Sequence, residues 1–512
     1  MPSRTIESSS QSSIPSVRIR VLVDVPARTD GAFVIYWMTA ARRTRFNFAL
    51  DRAVELAREL KLPLVILEPL RVDYAWASDR LHRFVIDGMR ANQRALAGTT
   101  VHYHPFVEPV PGAGKGLLER LAEDAAAVVT DDSPAFFLPR MLAAVAKRLA
   151  AGTGVRIEAI DSNGLLPLRA APKAFARAYD FRRFLQRELR PHLDAMPRPE
   201  LVAPKLPPLA SLPADVLERW PAADLERLGA DSSDALTQLP IDHRVAPAPF
   251  EGGAEAGRAA LGEFLDARLT AYGEGRNQPE SDTSSGLSPY LHFGHIGAHE
   301  ALWALAEREG WAPSDMTELT SGKRTGWWSM SPGAEAFLDQ LITWREVGFN
   351  GAHHGTHHDT LACLPDWARA TLELHAADPR PYVYTLEQFE RAATHDDLWN
   401  AAQNQLRIEG RIHNYLRMLW GKKILHWSAS PADALRIMVE LNNKYALDGR
   451  DPNSSSGILW VLGKYDRAWG PERPVFGKLR YMSGANTRRK LRVGAYIERW
   501  NDCQQSLAFE PL

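Results

Sequence analysis

Residues 396–427, DDLWNAAQNQLRIEGRIHNYLRMLWGKKILHW, decide the fold of the larger part of the chain. Their apolar positions recur at helical spacing and predict amphipathic helices, with Trp399 on an earlier helix than Trp420 and Trp427. The last two are seven residues apart, two turns along one face or about 10 Å. Helices of the same kind are read at AGRAALGEFLDARLTAYGE, AHEALWALAERE, AEAFLDQLITWRE and SPADALRIMVELNNKYA. Strand signals nearly vanish after residue 250, so residues 250–512 are expected to form an all-helical domain.

Upstream the pattern changes twice. Residues 191–249 are dense in proline (RPHLDAMPRPELVAPKLPPLASLPAD), which predicts a linker packed over the surface. Residues 18–190 alternate helical and apolar strand patterns. VRIRVLVDVP, GAFVIYWM, LPLVILEPL and VRIEAIDSNGLLPL read as strands, and NFALDRAVELARELK as a helix; GLLERLAEDAAAVVTDD is a helix running into a strand. That alternation predicts an α/β domain with a Rossmann-like parallel sheet. Residues 1–17 are Ser-rich without an apolar core, so a disordered tail is expected rather than a signal peptide.

Bulk composition narrows the function classes. The 512 residues carry a formal net charge of -1, with 45% hydrophobic and 24% charged residues, as in an ordinary globular protein. No apolar run has transmembrane length, so no membrane partner is expected. Cys363 and Cys503, the only two cysteines, exclude a Cys-ligated iron–sulfur cluster or a disulfide framework and fit the cytoplasm. PVPGAGKG (109–116) is not a phosphate loop: Gly116 follows Lys115 where Ser or Thr is required. FNGAHHGTHHDT (349–360) spaces His353, His354, His357 and His358 in i, i+4 pairs. Gly351 and Gly355 are expected to break the helix, and no glutamate lies between the pairs. A histidine-rich loop is therefore read there, and no metal site.

Three segments of the helical region carry chemistry. YGEGRNQPESDTSSGLSPYLHFGHI (272–296) runs a Ser, Thr and Gly cluster into a helix start, a place suited to an anion or simply to a cap. The tryptophans of 396–427 suit either a core or an electron conduit. LNNKYALDGRDPNSSSGILWVLGKYDRAWGPERPVFGKLRYMSGANTRRKL (441–491) places Asp448, Asp451 and Asn453 in a loop before Trp460 and Trp469. Between residues 471 and 493 lie seven basic residues against one acid, which suits either a solvated face or a nucleic-acid backbone with stacked bases.

LSPYLHFG, FLDQLITWRE, THDDLWNAAQ, RIHNYLRMLWGKKILHW, LDGRDPN and ERPVFGKLRYM, taken in order, resemble the photolyase/cryptochrome family, within it the class II cyclobutane pyrimidine dimer photolyases. VIYWM, NFAL and IDSNGLLP extend the resemblance into the N-terminal domain. It implies a helical domain that binds FAD, with Tyr272, Ser284, Ser285, Gly286, Leu287 and Ser288 at the pyrophosphate. Asn414, Arg417, Asp448 and Asp451 would surround the isoalloxazine, Arg417 pairing with Asp448, and Asn453 would face its N5. Trp399, Trp420 and Trp427 would form the relay that refills the flavin with electrons, in an order that spacing does not reveal. Trp344, Trp469 and Met418 would cradle a flipped dimer, and Arg276, Asn277, Arg473, Lys478 and Arg480 would face UV-damaged DNA. The implied activity is light-driven: excited reduced FAD lends an electron to the dimer, the cyclobutane opens, and the electron returns. A monomer is expected, as is room for an antenna chromophore of deazaflavin or folate type in the N-terminal domain. A flavin photoreceptor with weak or lost repair and a repurposed flavin photoenzyme are the alternatives.

The chain also departs from that pattern. Gln340 stands where the class has a pocket glutamate, SS replaces GY after Asn453, and Tyr465 replaces a histidine. After Trp344, GFNGAHHGTHH replaces a segment like DNFCFYNP. These changes surround the implied cofactor and lesion pocket, and slower repair is expected.

Overall fold

The computed structural model describes residues 12–200, 205–229, 235–318, 320–355 and 360–507. Its first layer is a six-stranded sheet in the order β1-β6-β5-β2-β3-β4. The strands are β1 (Ile19–Val23), β2 (Phe33–Trp37), β3 (Leu64–Leu70), β4 (His102–Val107), β5 (Ala125–Asp131) and β6 (Arg156–Ile160). Strands β2 to β6 pair parallel; every residue of β2 and β5 is buried, which explains their unbroken apolar runs. β1 corrects the all-parallel expectation, because it pairs antiparallel with β6 along the sheet edge. Among the described residues only the short 3-10 turn Ser16–Arg18 precedes β1, and residues 24–32 join it to β2, so no helical crossover fixes its direction.

Helix α1 (Phe48–Leu60) starts where the sequence offers a cap: the Asn47 side chain accepts from the N–H groups of Ala49 and Leu50. Helix α2 (Asp79–Leu96) packs its apolar face into a core shared with the helical region, where Leu81, Phe84 and Met89 meet Leu261, Phe264 and Ile296.

Two expectations about irregular segments are corrected. Residues 12–17 of the expected disordered tail are packed: Ser12 Oγ donates to Glu55 at 2.6 Å and Ile14 is buried beside Val34. The proline-rich stretch is more than a surface linker. Between its prolines, Leu206, Leu212, Val216, Trp220 and Leu225 are buried in three core clusters, so apolar burial fixes its path.

Buried charge fastens the helical region to the loop after β6. Arg18 donates to the carbonyls of Asp161 (3.2 Å) and Leu165 (2.7 Å). From the other side, Arg345 donates to Asn163 O at 2.8 Å, and the Glu346 carboxyl accepts from the N–H groups of Leu165 (2.7 Å) and Leu166 (3.1 Å). The motif IDSNGLLP is thus the strap that WRE holds. No described helix is long and apolar enough to cross a membrane.

Candidate active site

A cavity of about 1260 Å³ opens in the helical region. Helix Asn414–Trp427 turns Asn414, Arg417 and Met418 into it, residues spaced three or four apart on one face. Helix Pro452–Val461 contributes Asn453 from its first turn, where the Asp451 side chain caps the Asn453 N–H at 2.8 Å. Gln340 and Trp344 come from a π-helical turn, Asp339–Trp344, a local widening common at functional sites. Arg276, Asn277, Trp469, Arg473 and Arg480 line the same space. The cavity wall holds eleven arginines and lysines against one acid, Asp466.

Behind this wall lies a charged network. Arg417 donates to both carboxylate oxygens of Asp448 (2.9 and 3.0 Å), to Ser454 Oγ (2.9 Å) and to Asn442 Oδ1. Burial pushes the Asp448 carboxyl up, but the Arg417 charge and hydrogen bonds, with help from the Ser288 hydroxyl, pull it further down, below the ordinary carboxylate range. Ser454, one of the serines that depart from the family pattern, supplies a hydroxyl to both Arg417 and Asn442.

Other implied residues lie around the cavity rather than on it. Tyr272 packs edge-on to Phe264 (5.3 Å) and Phe337 (5.9 Å). The loop carrying Ser284, Ser285 and Leu287 takes a left-handed turn at Gly286 (φ 69°), then enters helix Ser288–His292, whose first residue bonds Asp448. Lys478 pairs with Glu472 at 3.2 Å. Asp451 lines a second cavity, between the α/β and helical regions, where its carboxylate lies 3.4 Å from His292 Nδ1.

Trp399, Trp420 and Trp427, which the resemblance implies as a relay, are all buried. Trp399 stacks on Trp420 with centroids 6.4 Å apart and planes 4° apart, and meets Trp427 at 6.2 Å and 68°. Its indole N–H donates to Trp420 O at 3.1 Å, while Trp420 donates to Gln403 at 2.9 Å. Trp399 therefore sits between the other two, an order their spacing along the chain conceals.

The departures after Trp344 fit one another. The helix Arg345–His354 runs through Gly351, which corrects the expectation that this glycine breaks it. A side chain at Gly351 would collide with the Tyr465 hydroxyl, so the glycine makes room for the tyrosine. Tyr465 is buried and donates to Val347 O at 3.3 Å. His354 is 3.0 Å from Ala171 O through Nε2, and His353 meets His354 edge to face at 4.8 Å. His357 and His358 lie outside the described residues. Among the described residues, no group of three or more His, Cys, Asp or Glu is placed to hold a metal ion.

Three features escaped sequence reading. Lys422 is 1% exposed; burial pushes its ammonium down to about 7, and it donates to Val461 O at 2.6 Å, 5.3 Å from the Trp460 ring. Arg182 and Asp339 form a buried ion pair at 2.8 Å, one turn from Trp344. Arg450 is 7% exposed, faces the rings of Tyr74, Phe136 and Phe293 at 5.5–5.9 Å, and leaves Nε and one terminal nitrogen without a hydrogen-bond partner. It lines the second cavity, of about 160 Å³. The only advance signal was a basic residue inside an otherwise apolar pattern (Lys422) or a loop motif (Arg450).

The chain is similar to known proteins along most of its length. A family model described as DNA photolyase matches residues 34–201. The chain is 34% identical over 487 residues to a deoxyribodipyrimidine photo-lyase of Methanothermobacter thermautotrophicus, covering 95% of this chain and 98% of that one. It is 33% identical over 471 residues to the Arabidopsis thaliana protein of that name (91% and 88% covered), and 30% identical over 485 residues to the one from Potorous tridactylus (94% and 83%). Among solved structures, a bacterial class III photolyase from Agrobacterium tumefaciens superposes with a TM-score of 0.64 at 18% identity, over 93% of this chain and 88% of that one, and so shares its fold.

Proposed function

The chain belongs to the photolyase family, and from that premise we propose that it is a light-driven, FAD-dependent enzyme that repairs cyclobutane pyrimidine dimers in DNA. One observation carries the reading: Asn414, Arg417 and Asn453 line the same cavity as Gln340, Trp344, Met418 and Trp469, and its wall is strongly cationic. When bound there, reduced FAD supplies a light-excitable electron donor. Arg417, tied to Asp448, offers a fixed positive charge beside the ring system, and Asn453 an amide; Ser288 and the Ser284–Gly286 turn offer polar groups for the pyrophosphate. Trp344 and Trp469 offer stacking faces to an extruded dimer, whose weak pairing makes extrusion cheap. The cations hold the DNA backbone. Gln340 can donate a hydrogen bond to a dimer carbonyl but cannot deliver a proton.

The orphaned Arg450 nitrogens suit an anionic planar ring in the cavity between the α/β and helical regions, and on that ground we assign this cavity to the antenna chromophore.

Illuminating the reduced protein with a dimer-containing oligonucleotide should restore the absorbance of intact thymine. Gln340→Glu should repair about threefold to tenfold faster, which corresponds to about 0.7–1.4 kcal/mol on the barrier. Equal rates would sink the role given to Gln340. No recovery in either protein would leave the photoreceptor reading, which the Gln340 amide favours. Trp399→Phe should slow light-driven flavin reduction more than about tenfold, ~1.4 kcal/mol of barrier, because it removes the middle ring. The same variant, reduced chemically beforehand, should still repair.

A further inference from the structure

The one carboxylate on the cavity wall is fully engaged. Asp466 Oδ1 accepts the indole N–H of Trp469 at 3.2 Å, and Oδ2 accepts Nε of Arg480 at 3.1 Å. Trp469 N–H donates to Lys478 O at 2.8 Å, and this turn of the chain brings Arg480 back over the indole. The guanidinium of Arg480 lies 4.1 Å from the Trp469 ring centroid and 5.6 Å from that of Trp460. Arg467 also lies 4.1 Å from the Trp469 centroid. At that distance a guanidinium covers ring surface on which a nucleobase would stack. A base arriving at Trp469 must therefore displace a cation.

Two attractions hold that cation where it is. Asp466 side-chain exposure is 12%, so its charge is poorly screened, while Arg480 remains 41% exposed and within reach of a ligand. An intact duplex offers Arg480 phosphates but nothing to fill the ring face it would vacate. A duplex with an extruded dimer offers both.

We propose that Asp466 is a specificity-determining residue: it parks Arg480 on Trp469, so that this cation reaches DNA phosphate only when an extruded base has taken its place on the ring. The proposal rests on the reading of the cavity as a damaged-DNA site, and adds how the site withholds affinity from intact DNA.

The test is dark binding of the full chain to two duplexes of one sequence, with and without a single thymine dimer, between 50 and 200 mM salt. Asp466→Asn removes the charge that holds Arg480. It should bind the intact duplex about threefold tighter, with a salt slope steeper by about 0.9, the increment for one more phosphate contact. The dimer duplex should keep its parental slope, because there Arg480 already reaches phosphate. Arg480→Gln should weaken only the dimer duplex, about threefold, and flatten its slope by about 0.9. Asp466→Asn overturns the proposal if it weakens both duplexes, steepens both slopes equally, or leaves the intact duplex unmoved. Should that variant fail to fold, Arg480→Gln decides alone, and an equal loss on both duplexes overturns the proposal. A parent protein that does not distinguish the duplexes overturns the damaged-DNA reading itself; a parental salt slope on the intact duplex kept by Asp466→Asn overturns only the role of Asp466.

Discussion

An Arg417→Ala protein is expected to purify without flavin and to unfold more easily than its parent by about 3–5 kcal/mol, the cost of stranding one partner of a buried ion pair. Arg417 gives Asp448 two hydrogen bonds and also ties down Ser454 and Asn442. With the guanidinium gone, Asp448 is left buried with only the weaker help of Ser288 and the charge of His292. The pH dependence follows from the signs. In the parent the carboxyl lies below its unfolded value, so the pair stabilises the fold above about pH 4 and that stability is lost as pH falls through the lowered value. In the variant burial dominates and drives the carboxyl upward, so acid unfolding begins at higher pH. Urea melts at pH 7 and an acid titration followed by circular dichroism measure both effects. Arg417→Lys, which keeps the charge but not the two-pronged geometry, should recover only part of the loss. A flavin-replete Arg417→Ala protein with parental stability would remove this pair from the cofactor site.

Local pattern made the fold readable where burial and period coincide. LPLVILEPL is β3 because a strand buried on both faces is apolar nearly throughout, its one acid Glu68 being paired with Arg42, and α1 begins at Asn47 because asparagine caps. β4 is less legible: HYHPFV mixes histidines and a proline into an edge strand, which carries a weak apolar signal. Nor does period report direction, hence the antiparallel surprise at β1. In the proline-rich stretch the breakers mask any helical or strand period, while the leucines between them decide its path. The site divides in the same way. Asn414, Arg417 and Met418 share a face by helical geometry alone, so their convergence is legible. That Trp399 falls between Trp420 and Trp427, or that Asp466 holds Arg480, depends on how separate elements pack, which no local spacing encodes.

Glu346→Gln should change stability relative to the parent in opposite senses at low and high pH. Burial pushes the Glu346 carboxyl up to about 7, against the pull of the Arg345 charge, the two backbone N–H groups and Arg18. The folded protein therefore holds this proton more tightly than the unfolded chain, whose carboxyl has the ordinary value of 4.5. Stability supplied by the neutral group is fully present below about pH 4.5 and is lost as pH rises through 7, a fall of about 3 kcal/mol at 1.36 kcal/mol per pH unit. Glutamine cannot ionise, so the variant escapes that fall. It carries instead a constant penalty: Leu165 and Leu166 donate to different oxygens of Glu346, and an amide can accept from only one of them. One buried N–H left unpaired costs about 1–3 kcal/mol. At pH 4.5 the variant should thus be the weaker protein, and by pH 8 it should have regained about 3 kcal/mol on the parent. Burial pushes His82, His104 and His413 down to about 4, so these histidines add stability as pH rises from 4 to 6.5, but they do so equally in both proteins and cancel in the comparison. Paired urea melts at pH 4.5 and 8 read the difference directly. A parent–variant gap that stays constant between those two pH values would mean that Glu346 is ionised throughout, and that the strap between the helical region and the loop after β6 is an ordinary salt-bridged contact.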